Sequence, residues 1–129
     1  MSKILLIEPD KLLGETYKAA LDSQNHEVVV CAGAQLAVFI ADKFQPDLVI
    51  VELQLVEHSG IEFLYEFRSY VDWQIVPIII LTQVPPSEFN QSIDLLKTDL
   101  SISEYLYKPQ VNLKKLINTV TYHLQITAT

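Results

Sequence analysis

Short apolar runs recur at regular intervals along the chain, each bounded by polar or turn-forming residues. Ile4-Leu5-Leu6-Ile7 ends at Glu8-Pro9-Asp10, and Val28-Val29-Val30-Cys31 ends before Gly33. Leu48-Val49-Ile50-Val51 is entered through Pro46-Asp47, and Ile78-Ile79-Ile80-Leu81 is entered through Pro77 and closes before Pro85-Pro86. A weaker fifth run, Tyr105-Leu106-Tyr107, stops at Pro109. Continuous apolar runs without polar alternation predict strands buried on both faces, the pattern of a parallel sheet.

The intervening segments carry a helical period. Leu13, Tyr17, Ala20 and Leu21 follow it after Asp10, and Leu36, Ala37, Ile40, Ala41 and Phe44 follow it after Gly33. Ile61, Leu64, Tyr65 and Phe67 do so after Ser59-Gly60. Phe89, Ile93 and Leu96 do so after Pro86-Ser87, with Ser87 as the expected N-cap. Leu113, Leu116, Ile117, Val120 and Leu124 form the cleanest stripe. Strand and helix thus alternate five times. Parallel neighbours require crossover connections, which are right-handed. The predicted fold is α/β: an open, doubly wound, five-stranded parallel sheet with helices on both faces. Residues 1–129 read as one domain with a core over about 3–124, and the tail from Gln125 is expected to fray. In such a sheet the functional crevice lies at the carboxyl ends of the strands.

Composition narrows the function. Half of the 129 residues are hydrophobic, 19% are charged, and the mean hydropathy is +0.24, which excludes a disordered chain. The formal net charge of −7 argues against nucleic acid and anionic membranes as partners, since both require clustered positive charge. The single cysteine, Cys31, cannot form an internal disulfide and reads as a buried hydrophobe of a reducing compartment. No apolar run approaches a membrane span, and Met1-Ser2-Lys3-Ile4 lacks the features of a signal peptide, so the expected location is cytoplasmic. His26, His58 and His123 fit no zinc spacing and are expected on the surface or in loops. Gly14, Gly33 and Gly60 are isolated, so no glycine-rich phosphate loop is present. Trp73, with Tyr70 and Val71, reads as a packing cluster near the exit of the third helix, with a partner anchor as the competing reading.

The crevice rule singles out the residues just after the strands. These are Glu8 and Asp10 after the first, Glu52 after the third, Thr82 after the fourth, and Lys108 before Pro109 after the fifth. With Ser59-Gly60 downstream of Glu52, their order and spacing resemble the receiver domain of two-component response regulators over roughly residues 3–124. The resemblance implies a flavodoxin-like sheet of order 2-1-3-4-5 and a non-enzymatic signalling domain. It also implies that acidic residues after the first and third strands hold Mg²⁺, and that the acid ending the third strand accepts a phosphoryl group from a histidine kinase. Thr82 and Lys108 would contact that group. Thr82 and Tyr105 would rearrange together to remodel the surface of the fourth helix, fifth strand and fifth helix.

The sequence departs from this pattern where the chemistry is concentrated. The phosphoacceptor position holds Glu52 rather than aspartate, and the second acidic position after the first strand is Pro9. Val56 stands where the family has proline, and bulky Gln83 follows Thr82. The interval from Thr82 to Lys108 is a few residues longer than usual, with the extra length expected in residues 94–103. Glu8 and Asp10 are either the remains of a metal site or acidic residues favoured at a helix entrance. Thr82 and Tyr105 are either the switch pair or a strand-end hydroxyl and a half-buried strand aromatic. No cofactor is expected, with at most weak Mg²⁺ binding at Glu8 and Glu52.

Glutamate is one methylene longer than aspartate, so the Glu52 carboxylate is expected to lie toward the phosphoryl position, paired with Lys108 and accepting from Thr82. It carries less charge than an acyl phosphate and imitates it in part. The leading expectation is a stand-alone atypical receiver that is not phosphorylated at the usual position. It would act through a protein partner, a histidine kinase or a downstream effector, or as a homodimer through the fourth helix, fifth strand and fifth helix. The alternatives are a conventional phosphoacceptor or phosphorelay intermediate, and a doubly wound domain that senses a small molecule.

Overall fold

The computed structural model describes the backbone of residues 2–56, 58–88 and 92–128, the last of these segments without the side chains of 92, 95 and 128. Five parallel strands form one sheet in the order β2-β1-β3-β4-β5: β1 (Lys3–Ile7), β2 (Glu27–Cys31), β3 (Leu48–Val51), β4 (Ile78–Thr82) and β5 (Glu104–Tyr107). The helices are α1 (Lys11–Asp22), α2 (Ala34–Phe44), α3 (Gly60–Ser69), α4 (Ser92–Asp99) and α5 (Leu113–Ala128). The predicted α/β class, parallel sheet and strand order are those observed.

Alternation within the strands divides the core in two. Leu5, Ile7, Val49, Val51, Ile78 and Ile80 pack with Ala37, Ala41, Phe63, Phe67 and Leu96 from α2, α3 and α4. Ile4, Leu6, Leu48, Ile50, Ile79 and Leu81 pack with Leu21, Leu116 and Val120 from α1 and α5. Each central strand therefore buries both faces, which is why its apolar run is unbroken. On α2 the small residues Ala34, Ala37 and Ala41 face the sheet, and Leu36, expected in the apolar stripe, is exposed. Tyr65 on α3 is exposed for a similar reason, since Phe63, Leu64 and Phe67 fill the buried face.

Three further expectations are corrected. Ser87 does not cap α4: it lies in a 3-10 turn over Pro86–Glu88, and the regular helix is described from Ser92, while Phe89 lies outside the described residues. The tail does not fray at Gln125, because α5 continues to Ala128 and Thr127 bonds back to the His123 carbonyl at 2.7 Å. His123 is neither a surface nor a loop residue. It is buried on α5 and reaches Glu104 on β5 at 3.2 Å. Trp73 is buried in a 3-10 turn after α3 and stacks on Phe67, as the packing reading requires, while Tyr70 and Val71 beside it are exposed.

Arg68 near the end of α3 joins distant segments. Its guanidinium donates to the carbonyls of Leu100 (2.7 Å), Trp73 (2.6 Å) and Ser101 (3.1 Å), fixing the connection from α4 into β5. Ser101 takes a left-handed conformation there, with φ of 52°. At the other end of α3, Gly60 lets the helix start against the segment that leaves β3. A Cβ at this position would lie 2.5 Å from the Glu52 carbonyl oxygen and 2.8 Å from Leu53 Cα. Both obstacles are backbone, so Gly60→Ala should cost about 1–3 kcal/mol through overpacking, read as a lowered urea midpoint. An unchanged midpoint would show that the loop yields freely.

Candidate functional site

In a sheet of order 2-1-3-4-5 the chain reverses its direction of winding between β1 and β3, and the crevice opens above their carboxyl ends. Glu8 and Glu52 are the first residues beyond these strands, and the sheet ladder still holds their backbones. The Glu8 amide donates to the Cys31 carbonyl at 2.9 Å, and the Glu52 amide donates to the Ile7 carbonyl at 3.0 Å. Thr82 is the last residue of β4, and Lys108 opens the 3-10 turn that follows β5. The four side chains meet.

Lys108 Nζ lies 2.6 Å from Glu8 Oε1 and 2.8 Å from Glu52 Oε1, with all three side chains buried. The Glu52 carboxylate accepts four donors. Oε1 takes Lys108 Nζ and the Gln83 amide (3.2 Å), and Oε2 takes the Gln54 amide (3.1 Å) and the Thr82 hydroxyl. An ionised carboxylate offers about four acceptor sites, so these donors saturate it. Glu8 Oε2 accepts the Asp10 amide at 3.0 Å.

Asp10 does not join the pocket. It is exposed, and its carboxylate caps α1 by accepting the Leu13 amide at 3.0 Å. An N-cap bond satisfies a helix amide that otherwise has no partner, and Pro9 sets the carboxylate of Asp10 one residue past the family position. Tyr105 is half-buried, and its hydroxyl donates to the Val84 carbonyl at 2.7 Å. The Val84 amide donates to Thr82 Oγ1 at 3.1 Å. A continuous hydrogen-bonded chain thus runs from Glu52 through Thr82 and Val84 to Tyr105 on β5.

The charges follow from this packing. Burial alone raises the Glu52 carboxyl, but its bonds to Lys108, Thr82 and the Gln54 amide outweigh that and hold it below its ordinary 4.5. Burial alone lowers the Lys108 ammonium, but Glu52 and Glu8 hold it above its ordinary 10.5. Burial, with Glu52 and Glu88 adding to it, pushes the Tyr105 phenol up to about 12. A depressed carboxyl contributes stability above its ordinary range that is lost as pH falls through the folded value. Raised Lys108 and Tyr105 contribute stability below their ordinary ranges that is lost as pH rises through theirs. The urea midpoint should therefore change little between neutrality and mildly alkaline pH, fall below about pH 4 and fall again above about pH 10. A midpoint that declines steadily from neutrality to pH 10 would contradict this.

Tyr17 on α1, the backbone amides of Gln54 and Gln83, and the contact between Lys108 and Glu8 were not anticipated from sequence. Tyr17 carries a phenol raised by burial and by Glu8, Glu52 and Asp10 against the opposing pull of Lys108. It borders an open cleft of about 720 Å³ beside the carboxylates, lined also by Leu13, Gln83, Tyr107, Lys108 and Asn112.

The sequence model of the response regulator receiver domain matches residues 4–121. The chain belongs to this family. Among relatives, it is 28% identical over 109 residues to the KDP operon transcriptional regulatory protein KdpE of Escherichia coli, covering 84% of this chain and 45% of that protein. It is 32% identical over 110 residues to the transcriptional regulatory protein PdtaR of Mycobacterium tuberculosis, covering 83% of this chain and 49% of that one. This receiver thus spans about half the length of these curated relatives. In structure it is similar to the chemotaxis response regulator CheY4 of Vibrio cholerae, with a TM-score of 0.83 at 23% identity over 95% of this chain and 98% of that one. It is similar also to the BeF3-activated receiver domain of Klebsiella pneumoniae RstA, with a TM-score of 0.82 at 25% identity over 95% and 98%.

Receiver domains are signalling modules that work with kinases and effectors, and they typically bind Mg²⁺. The residues of this receiver do not fit the ion. Pro9 supplies no carboxylate, Asp10 caps a helix, and Glu8 and Glu52 are engaged by Lys108. Among the described residues, no group of three or more His, Cys, Asp and Glu side chains could hold a metal. No described helix is long and apolar enough to cross a membrane.

Proposed function

We propose that residues 1–129 are one atypical receiver domain of the cytoplasm that signals by protein–protein contact without phosphorylation at the usual position. Glu52 takes the acceptor's place. The observation that carries this reading is the saturated Glu52 carboxylate, which accepts Thr82, Lys108 and two backbone amides. In-line attack on a phosphodonor needs a free carboxylate lone pair and a cation that neutralises the transferred group. Here the lone pairs are committed, and the nearest cation is committed with them.

The longer side chain supports a second part of the reading. It brings the carboxylate to the Thr82 hydroxyl directly, and the chain of hydrogen bonds continues through Val84 to Tyr105. The switch residues are thus linked to a permanent negative charge, and the domain holds one state rather than cycling. Its output surface is the face of α4, β5 and α5, offered to a kinase, to a downstream effector or to a second copy.

The test is the intact mass of the purified protein after incubation with a small phosphodonor and Mg²⁺, beside a conventional receiver. The expected result is no added mass here and a phosphoryl adduct on the control. A stoichiometric, base-labile adduct on this chain would overturn the proposal and make mapping of the accepting carboxylate the next step.

A further inference from the structure

Helix α2 turns its small residues inward and its large apolar ones outward. Ala34, Ala37 and Ala41 are buried, while Leu36 and Phe39 are 54% and 63% exposed. The exposed positions of the helix are Gln35, Leu36, Phe39, Asp42 and Lys43, which recur every three or four residues and so form one outward stripe. A helix with apolar residues on both sides belongs under cover on both. Two observations suit a second copy of this chain as that cover. The stripe carries one acid, Asp42, and one base, Lys43, so two copies of a chain of net charge −7 meet here without like-charge repulsion. The N-terminus of α2, at Gly33, has no side-chain cap and no acidic residue in its first turn, whereas Asp42 is exposed near the other end of the same stripe. Two such helices laid antiparallel bring each Asp42 to the other's uncapped N-terminus, where negative charge is favoured.

We propose that this stripe is a homodimer interface: α2 packs antiparallel on α2 of a second copy, with Leu36 and Phe39 at the centre and Asp42 of each helix at the N-terminus of the other. The contact is isologous, so it closes a twofold dimer and does not propagate. It differs from a dimer through α4, β5 and α5. β2 and β5 are the opposite edges of the sheet, and α2 packs against β1 and α3, so the α2 dimer leaves both α4–β5–α5 faces open. The assembly then offers a partner two output surfaces at once, which raises avidity without any new contact.

A single helix stripe is a small interface, so the dimer is weak and concentration decides its population. Sedimentation equilibrium of the full chain reads it directly. The natural protein is expected to pass from one chain to two between about 10 µM and about 1 mM. Phe39→Glu should stay a single chain over that range with an unchanged urea midpoint, because the ring it replaces is exposed. Asp42→Lys should weaken the dimer about tenfold, since it puts a positive charge at each helix N-terminus. Tyr122→Glu, on the exposed side of α5, should dimerise as the natural protein does. A natural protein that remains a single chain at about 1 mM would overturn the proposal and leave the stripe to a different partner. So would a folded Phe39→Glu that still dimerises, an Asp42→Lys without effect, or a dimer lost in Tyr122→Glu. Should Phe39→Glu not fold, Leu36→Glu replaces it. No phosphodonor enters this test, so its failure leaves the reading of Glu52 untouched.

Discussion

Lys108→Ala should lower stability by about 3–5 kcal/mol, the usual cost of removing one partner from a buried ion pair. The side chains of Lys108, Glu8 and Glu52 are 8%, 2% and 3% exposed, so water does not compensate for the missing ammonium. Two carboxylates would then face each other with no cation between them. The loss should be largest at neutral pH and shrink as pH falls into the carboxylate range, where protonation relieves the repulsion. Glu52→Gln should cost less, because Lys108 keeps Glu8 and the amide still accepts from Thr82. The surface pair Lys18–Asp22 provides the contrast. It is as short, at 2.7 Å, but its side chains are 43% and 42% exposed. Lys18→Ala should change stability by no more than about 1 kcal/mol. Urea denaturation of the three variants measures all of this, and equal midpoints for Lys108→Ala and the natural protein would refute the buried pair.

The strands were legible because both faces of the sheet are covered. Leu48 to Val51 and Ile78 to Leu81 are apolar throughout, and no helical reading of so short a run entered through a proline competes with a strand. The edge strand β5 was weaker for a physical reason: only Leu106 is buried, while Glu104, Tyr105 and Tyr107 are half-exposed. Helix phases were legible where large residues face the core, as with Leu116 and Val120, and misleading where small ones do. On α2 the alanines approach the sheet, and Leu36 turns outward.

In the pocket, residue type and position pointed to Glu8, Glu52, Thr82 and Lys108 and to the bonds of Glu52 with Lys108 and Thr82, but not to the contact of Lys108 with Glu8. Glu8 and Asp10 carried the same two readings in sequence, the remains of a metal site or acidic residues at a helix entrance, and local geometry separates them. Glu8 is the last residue held by the β1–β2 ladder and points into the crevice, whereas Asp10 begins a helix whose free amides compete for its carboxylate. The amides of Gln54 and Gln83 carry no sequence signal, because every residue but proline offers one. His123 illustrates the same limit: its partner Glu104 lies on a strand far away in sequence, and only the packing of α5 on β5 buries the pair.

The second large effect is expected far from the pocket. Phe67→Ala should cost about 3–5 kcal/mol, the range for deleting a fully buried aromatic side chain. Phe67 is wholly buried, with its ring centroid 5.4 Å from Phe63 and 4.7 Å from Trp73, the latter ring nearly parallel at 12°. Its removal leaves a cavity and takes away the stacking partner of Trp73. Trp73 is the only tryptophan, so its fluorescence reports the site without added label. Emission should shift to the red as the ring gains water, together with a lowered urea midpoint. The neighbouring Arg68 grips the carbonyls of Leu100 and Ser101, so a loosened end of α3 should also speed amide exchange in the segment that enters β5. Tyr65→Ala, on the same helix but 53% exposed, should change stability by no more than about 0.5 kcal/mol. If Phe67→Ala lost less than about 1 kcal/mol with Trp73 emission unchanged, the aromatic stack would not be what anchors α3 to the sheet. Because β5 delivers both Lys108 and Tyr105 to the crevice, a faster-exchanging entry to β5 in that variant would tie the pocket's geometry to this distant core.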